Sequence, residues 1–218
     1  MSAVEKWIHP FRDLASAGRE LAVVLEPYRD APNTIVLGIT RGGVPAAIAV
    51  AGHLRLPLDL VVRRGLLVTP AGEGIGATTV AGTLVVDPRL PAANDPPVEP
   101  RDHFLLEGFA ELHERTLLCR GDKPAVNVAG MNVIVVDNGL RTGGTMRVAV
   151  RSARTLGASR IIAAAPVGTP ESRASVEEVA DETICVKWVP MGNVAMGYAR
   201  FDVPVNEAIA PLLANRHR

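Results

Sequence analysis

Cysteine is scarce in this chain. Its two residues, Cys119 and Cys185, are too few for a disulfide scaffold or a cysteine zinc site, and a reducing compartment suits them. The five histidines, His9, His53, His103, His113 and His217, lack metal-ligand spacing. An excess of one charge is missing too. Lys plus Arg and Asp plus Glu each number 23 in 218 residues, a formal net charge of zero, which removes the usual argument for non-specific nucleic-acid binding. No apolar run approaches a membrane span, and Met1-Ser-Ala-Val-Glu-Lys-Trp7 has no apolar signal core. The expectation is a soluble, cytoplasmic protein with neither nucleic acid nor membrane as partner.

What is present suffices for one enzyme-sized domain over residues 1–218. The chain is 48% hydrophobic, and a domain of this length buries roughly 70% of its unfolded surface. Short apolar runs alternate with helical periodicity, the pattern of a parallel α/β sheet. Strands are expected at 34–39, 59–62, 133–136, 161–165 and 183–186, and helices at 16–26, 44–54, 145–156 and 170–180. A further helix over 101–120 carries Leu105, Leu106, Phe109, Leu112 and Leu117 for core or dimer packing. Arg147, Arg151 and Arg154 fall on one helical stripe. With no interleaved aromatics, the stripe reads as a solvated face.

The sharpest chemical signal is Val133-Ile-Val-Val-Asp137-Asn138-Gly139-Leu140-Arg141-Thr142-Gly143-Gly144-Thr145. It joins a buried strand to a glycine-rich turn that opens a helix, and ligands of open α/β sheets bind where such strands end. The glycines allow close backbone approach, and the threonines add hydroxyls beside the free N–H groups of the helix start. A plain helix cap needs only one or two of these residues; the full run points to a phosphorylated sugar. Thr40-Arg41-Gly42-Gly43, ahead of Val44-Pro45, makes a second turn suited to an anion, with Pro45 where a helix tolerates a missing N–H and Arg41 as a charged fork. Taken alone, an ordinary strand-to-helix turn with a surface arginine fits that segment equally well.

The first of these segments resembles the phosphoribosyl pyrophosphate loop of the type I phosphoribosyltransferases, in which apolar residues precede two acidic ones and a Thr-Gly-(Gly/Ala)-Thr run. The resemblance implies that Asp137 and Asn138 face the sugar hydroxyls. It also implies that Gly139, Leu140, Arg141, Thr142, Gly143, Gly144 and Thr145 wrap the 5-phosphate. Asn138 departs from the family's second carboxylate: its amide can hydrogen-bond a hydroxyl but lends no negative charge to a sugar cation or a metal. Arg141 stands where the family commonly has a small or apolar residue. By the same resemblance Thr40, Arg41, Gly42 and Gly43 form the pyrophosphate loop.

The likeness runs from about residue 11 to 205 and is nearest to a stand-alone group of predicted phosphoribosyltransferases. They share the opening Phe11-Arg-Asp13-Leu-Ala-Ser-Ala17-Gly18-Arg-Glu-Leu21, the Arg41-Gly-Gly-Val-Pro45 loop and the flap motif Glu73-Gly-Ile-Gly76-Ala77. It implies an open, mainly parallel sheet flanked by helices, a flexible flap at about 64–100, and a hood at about 187–205 assembled with the N-terminal region. In the flap, 77–86 reads as a short hairpin around Gly82, and 87–100 holds five prolines. Arg63 and Arg64 are placed to reach a pyrophosphate, although a plain basic pair at a strand end is as good an account. Trp188, Tyr198 and Phe201 are the hood's candidates for stacking on a base, with ordinary packing the better account of any one of them alone. Mg²⁺ is the implied cofactor, with Asp137 and Asp202 as candidate metal-facing residues, and a homodimer is the implied assembly. The implied activity is transfer of a phosphoribosyl group from phosphoribosyl pyrophosphate to a nitrogen of a nucleobase or related heterocycle. The alternative is a binding protein for phosphoribosyl pyrophosphate or a nucleotide that performs little or no transfer.

Overall fold

A computed structural model of the chain describes residues 9–65, 76–79, 84–86, 110–121, 123–190 and 193–214. Five strands form one all-parallel sheet: β1 (Thr34–Ile39), β2 (Leu58–Val61), β6 (Asn132–Val136), β7 (Arg160–Gly168) and β8 (Glu182–Trp188), in the order β2-β1-β6-β7-β8. The central strands β1 and β6 are neighbours, with Gly38 opposite Val136. Their ends therefore reach the same rim, as the sequence predicts.

Both sheet faces are covered, which is why these strands read as unbroken apolar runs rather than alternating ones. Alternate residues point to opposite faces. Ile35, Leu37 and Ile39 of β1, with Val133 and Val135 of β6, pack with Met146, Ala149, Val150 and Ala153 of α4 (Gly144–Thr155) and Val176 of α5 (Pro170–Glu177). Val36, Ile134, Val136, Ile162 and Ala164 face the other way, onto Leu21 of α1 (Leu14–Val24) and Ala47, Val50 and Leu54 of α2 (Gly43–Leu54).

The expected strands and helices are present, with shifted ends. The sequence reading starts α1 at Ser16; the helix begins earlier because Asp13 caps it, accepting the Ser16 N–H at 2.7 Å while Ser16 Oγ accepts the Asp13 N–H. Strands β7 and β8 run past their apolar centres through Gly168 and Trp188, since ladder pairing continues to that pair. Helix α5 stops at Glu177, short of the expected 180. A C-terminal helix, α6 (Asn206–Ala214), escapes the sequence reading because Pro211 sits inside it; burial of Ile209 beside Val44 and Leu60 holds it in place.

In the excursion, β4 (Gly76–Thr79) and β5 (Leu84–Val86) pair antiparallel, matching the expected hairpin, and β3 (Arg63–Gly65) adds to β4 as a third strand. Gly82, the proline-rich stretch 87–100 and helix positions 101–109 lie outside the described residues. Residues 110–120 are helical (α3), with Leu112 buried and Leu117 exposed. Arg120 anchors this helix to the edge strand by bonds to the Asp59 carboxylate and the Leu60 carbonyl.

Of the arginine stripe on α4, expected as a solvated face, Arg154 is exposed and Arg151 half-buried, but Arg147 is buried. Arg147 is 2% exposed and donates to the Ser175 carbonyl and to Glu178, both at 2.7 Å. Arg154 pairs with Asp181 at 2.7 Å. Arg147 meets the end of α5 and Arg154 the turn into β8, partners distant in sequence.

The Asp13 carboxyl is held far below the ordinary aspartate value of 3.8, chiefly by the Ser16 N–H and, against partial burial, by Arg12. A lowered folded-state value contributes stability above pH 4 that is lost as the pH falls through the folded value. Asp13→Ala is expected to cost about 1 kcal/mol at neutral pH, the usual size of a cap. The difference from wild type should shrink below about pH 3 in denaturant melts; a deficit unchanged there would contradict this assignment.

Candidate active site

At the shared rim, β1 and β6 each deliver a glycine turn. The first follows Ile39: Thr40 is buried and its N–H donates to the Val61 carbonyl at 3.0 Å, while Arg41 is exposed. The Thr40–Arg41 peptide is cis. Gly42 and Gly43 then open α2 without a side-chain cap. The second turn runs from Asp137, 8% exposed, to Gly143, which opens α4, also without a side-chain cap. Gly143 has φ +79°, a backbone conformation that disfavours any residue with a Cβ.

The two turns touch. A Cβ on Gly43 would lie 2.6 Å from the Val136 carbonyl oxygen and 2.9 Å from Asp137 Cα, and one on Gly42 would lie 2.5 Å from Asn138 Nδ2. At Gly43 the facing atoms are backbone, so glycine is required there for space rather than for an unusual φ, whereas a Cβ on Gly42 would meet the movable end of the Asn138 side chain. Asp137 Oδ1 accepts the Asn138 N–H at 2.8 Å. Thr142 and Arg141 are exposed, and Gly144 and Thr145 are half-buried at the helix start. The outcome is a pair of helix N-termini opening side by side, with a carboxylate between them and exposed Arg41 and Arg141 at the edge. Exposed N–H groups and the positive ends of two helix dipoles suit a polyanion.

The hood is seated on the second turn. Val194, in the 3-10 turn Val194–Gly197, comes within 2.6 Å of where a Gly139 Cβ would be. The Tyr198 hydroxyl donates to the Asn138 carbonyl. Burial, and secondarily the Asp137 carboxylate, pushes the Tyr198 phenol well above its ordinary value, so it remains a donor. Phe11 meets Tyr198 at 5.6 Å between centroids and Tyr198 meets Phe201 at 5.2 Å. Buried between these neighbours, Tyr198 packs and positions rather than presenting a face for stacking. Sequence reasoning offered it as a stacking candidate and missed its hydroxyl bond to the loop; no local pattern signals a contact across 60 residues.

Other candidates are placed as follows. Trp188 is half-buried, with its ring edge against Gly168 and the Arg173 guanidinium 5.4 Å from its centroid. Arg63 and Arg64 lie in β3. Asp202 is exposed beyond Phe201. Among the described residues no cluster of three or more His, Cys, Asp or Glu side chains offers a dedicated metal cage. One buried carboxylate, Asp137, fits the way Mg²⁺ is usually held, by one or two carboxylates together with substrate oxygens and water. A separate cavity of 260 Å³ lies between Leu37, Val61, Val128 and Ala153. Its apolar walls do not suit a phosphate.

The "Phosphoribosyl transferase domain" family matches residues 12–199. The chain belongs to this family. Two Mycobacterium tuberculosis proteins are 30% identical to it over 210 residues: "Putative phosphoribosyl transferase Rv0571c" of strain ATCC 25618 / H37Rv and "Putative phosphoribosyl transferase MT0597" of strain CDC 1551 / Oshkosh. Each alignment covers 95% of this chain and 47% of the relative, so the chain spans about half the length of these curated relatives. The crystal structure of TT1426 from Thermus thermophilus superposes with a TM-score of 0.77 at 28% identity, covering 95% of this chain and 99% of that one. The parallel sheet flanked by helices is the type I phosphoribosyltransferase fold, and the family is one of transferases.

Gly43→Ala tests the contact between the turns. Forcing a methyl group against backbone is expected to cost about 1–3 kcal/mol, measured by thermal melts. Wild-type stability would refute the contact.

Proposed function

We propose that the chain binds phosphoribosyl pyrophosphate across the two touching turns and transfers its phosphoribosyl group to a ring nitrogen of a nucleobase or related heterocycle. The contact of Gly42 and Gly43 with Asn138 and Asp137 carries this reading. One substrate bearing a phosphate at one end and a diphosphate at the other needs two anion sites a sugar's width apart. Residues 139–145 hold the 5-phosphate, and Thr40 to Gly43 hold the diphosphate with Arg41 beside it. Asp137 and Asn138 lie between, facing the ribose hydroxyls.

In the reaction the C1–O bond to the diphosphate breaks and a C1–N bond to the acceptor forms; pyrophosphate leaves, and the acceptor nitrogen gives up its proton. Arg41 and the loop amides stabilise the charge that collects on the leaving group, and Asp137 stabilises the positive sugar carbon. Mg²⁺, held by Asp137 together with substrate oxygens, would neutralise the diphosphate, and Asp202 is the second carboxylate offered for it. Arg63 and Arg64 belong to the strand leading into the flap and Trp188 to the base side. Such a site takes the turn after β6 and the turn after β1 together, so neither turn suffices alone.

The second reading rests on Asn138. A single preorganised group is worth roughly 3 to 4 kcal/mol at a transition state. Loss of one carboxylate charge beside C1 therefore slows transfer by orders of magnitude while leaving binding in place. A phosphoribosyl pyrophosphate sensor is then the outcome.

Calorimetric titration with phosphoribosyl pyrophosphate and magnesium, followed by a pyrophosphate-release screen over bases, separates the two. Binding with release supports the transferase, and binding without release across the panel supports the sensor. Absence of binding removes both. Asn138→Asp is expected to raise transfer at least about tenfold, about 1.4 kcal/mol at the barrier, and an unchanged rate would show that the missing charge is not limiting. Asp137→Ala is expected to weaken ribose 5-phosphate more than inorganic phosphate; equal losses would contradict its place at the sugar.

A further inference from the structure

Two capping boxes in the fold are built alike but make different contacts. At α1, Ser16 Oγ closes on its own cap, donating to the Asp13 carbonyl at 2.8 Å. At α5, Thr169 and Ser172 form the same reciprocal pair: Thr169 Oγ1 accepts the Ser172 N–H at 3.0 Å and Ser172 Oγ accepts the Thr169 N–H at 3.1 Å. Both α5 hydroxyls also reach outside their helix. Ser172 Oγ shares its one proton between the Leu140 carbonyl at 2.8 Å and the Thr169 carbonyl of its own cap at 2.9 Å, Thr169 Oγ1 donates to the Arg141 carbonyl at 2.8 Å, and the Thr169 N–H meets the Leu140 carbonyl at 3.0 Å.

Those carbonyls belong to the sugar-phosphate turn. Among the described residues only the Thr40–Arg41 peptide is cis, so the Leu140–Arg141 and Arg141–Thr142 peptides are trans, with C=O and N–H on opposite sides of a rigid plane. Drawing both carbonyls toward α5 turns the N–H groups of Arg141 and Thr142 the other way. Among the described residues neither N–H donates to a backbone carbonyl. A peptide flipped at either position would present a carbonyl oxygen to an anion and repel it.

We propose that Thr169 and Ser172 are positioning residues: their hydroxyls hold the Leu140 and Arg141 carbonyls against α5, so that the Arg141 and Thr142 amides point at the 5-phosphate. This rests on the phosphoribosyl pyrophosphate reading above. The two hydroxyls never touch substrate; they set the polarity of the turn that does. Their reach is confined to this turn, because the diphosphate turn at Thr40 to Gly43 is held by β1 and β2.

The test compares ribose 5-phosphate and pyrophosphate as separate calorimetric probes, each with magnesium, on the full chain. Ser172→Ala and Thr169→Val are each expected to raise the Kd for ribose 5-phosphate about tenfold and to change that for pyrophosphate less than about twofold, a selective loss worth about 1.4 kcal/mol. Thr169→Ser, which retains the hydroxyl, restores affinity. Ser16→Ala removes the equivalent box of α1 and should lower Tm while leaving both affinities alone, which separates loss of a cap from loss of loop orientation. Equal weakening of both probes, or ribose 5-phosphate affinity unchanged in Ser172→Ala and Thr169→Val, would overturn the proposal while leaving the binding reading intact. Failure of the wild-type chain to bind ribose 5-phosphate would overturn that reading, and this inference with it.

Discussion

The approach of Gly43 to the end of β6 is the constraint on which the site depends. With the Val136 carbonyl only 2.6 Å from the place of a Gly43 Cβ, the start of α2 is pressed against the strand that ends in Asp137. This closeness follows from the pairing of β1 with β6 in parallel register, which sends both strands to one rim. Two helix starts that would otherwise be separate turns become one surface rich in donors.

The helix starts of this fold are built in two ways. Helices α1 and α5 each begin with a reciprocal side-chain cap, whereas α2 and α4 begin at Gly42 and Gly143 with none. Each helix start leaves up to four backbone N–H groups without an intrahelical acceptor. The capped helices satisfy part of that need with side chains of their own chain. At α2 and α4 no side chain caps the first turn, at the rim where β1 and β6 end. The α5 cap reaches across to the turn before α4, so the stability of one helix start shapes the donors at another.

The surrounding elements restrict that turn from three sides. Arg147 ties α4 to the Ser175 carbonyl of α5, Leu140 donates to the Val167 carbonyl at the end of β7, and Tyr198 reaches the Asn138 carbonyl from the hood. Preorganised backbone donors can stabilise charge without reorganising when it develops. The aromatic set of Phe11, Tyr198 and Phe201 thus joins the N-terminal segment, the segment 194–201 and the turn after β6 in one packed unit.

Local pattern made a large part of this legible. The apolar runs at 133–136 and 34–39 specify buried parallel strands because both faces of each are covered, and the glycine turns after them mark where a ligand meets the sheet. Helix starts with Pro45 and Pro170 were readable for the same local reason. Less visible were contacts between distant residues: Arg147 has the periodicity of a surface stripe, and only the arrival of α5 buries it. Thr169 and Ser172 look like an ordinary cap in one dimension. Tyr198 could pack or stack by sequence alone, and its place between Phe11 and Phe201 makes it a packing residue. By itself the sequence determined the strand-turn-helix units, since period, glycine placement and capping act over a few neighbouring residues. Only the tertiary structure decided that the two turns touch and that the α5 hydroxyls meet the loop carbonyls, because strand order and helix packing set distances between residues that the chain keeps far apart.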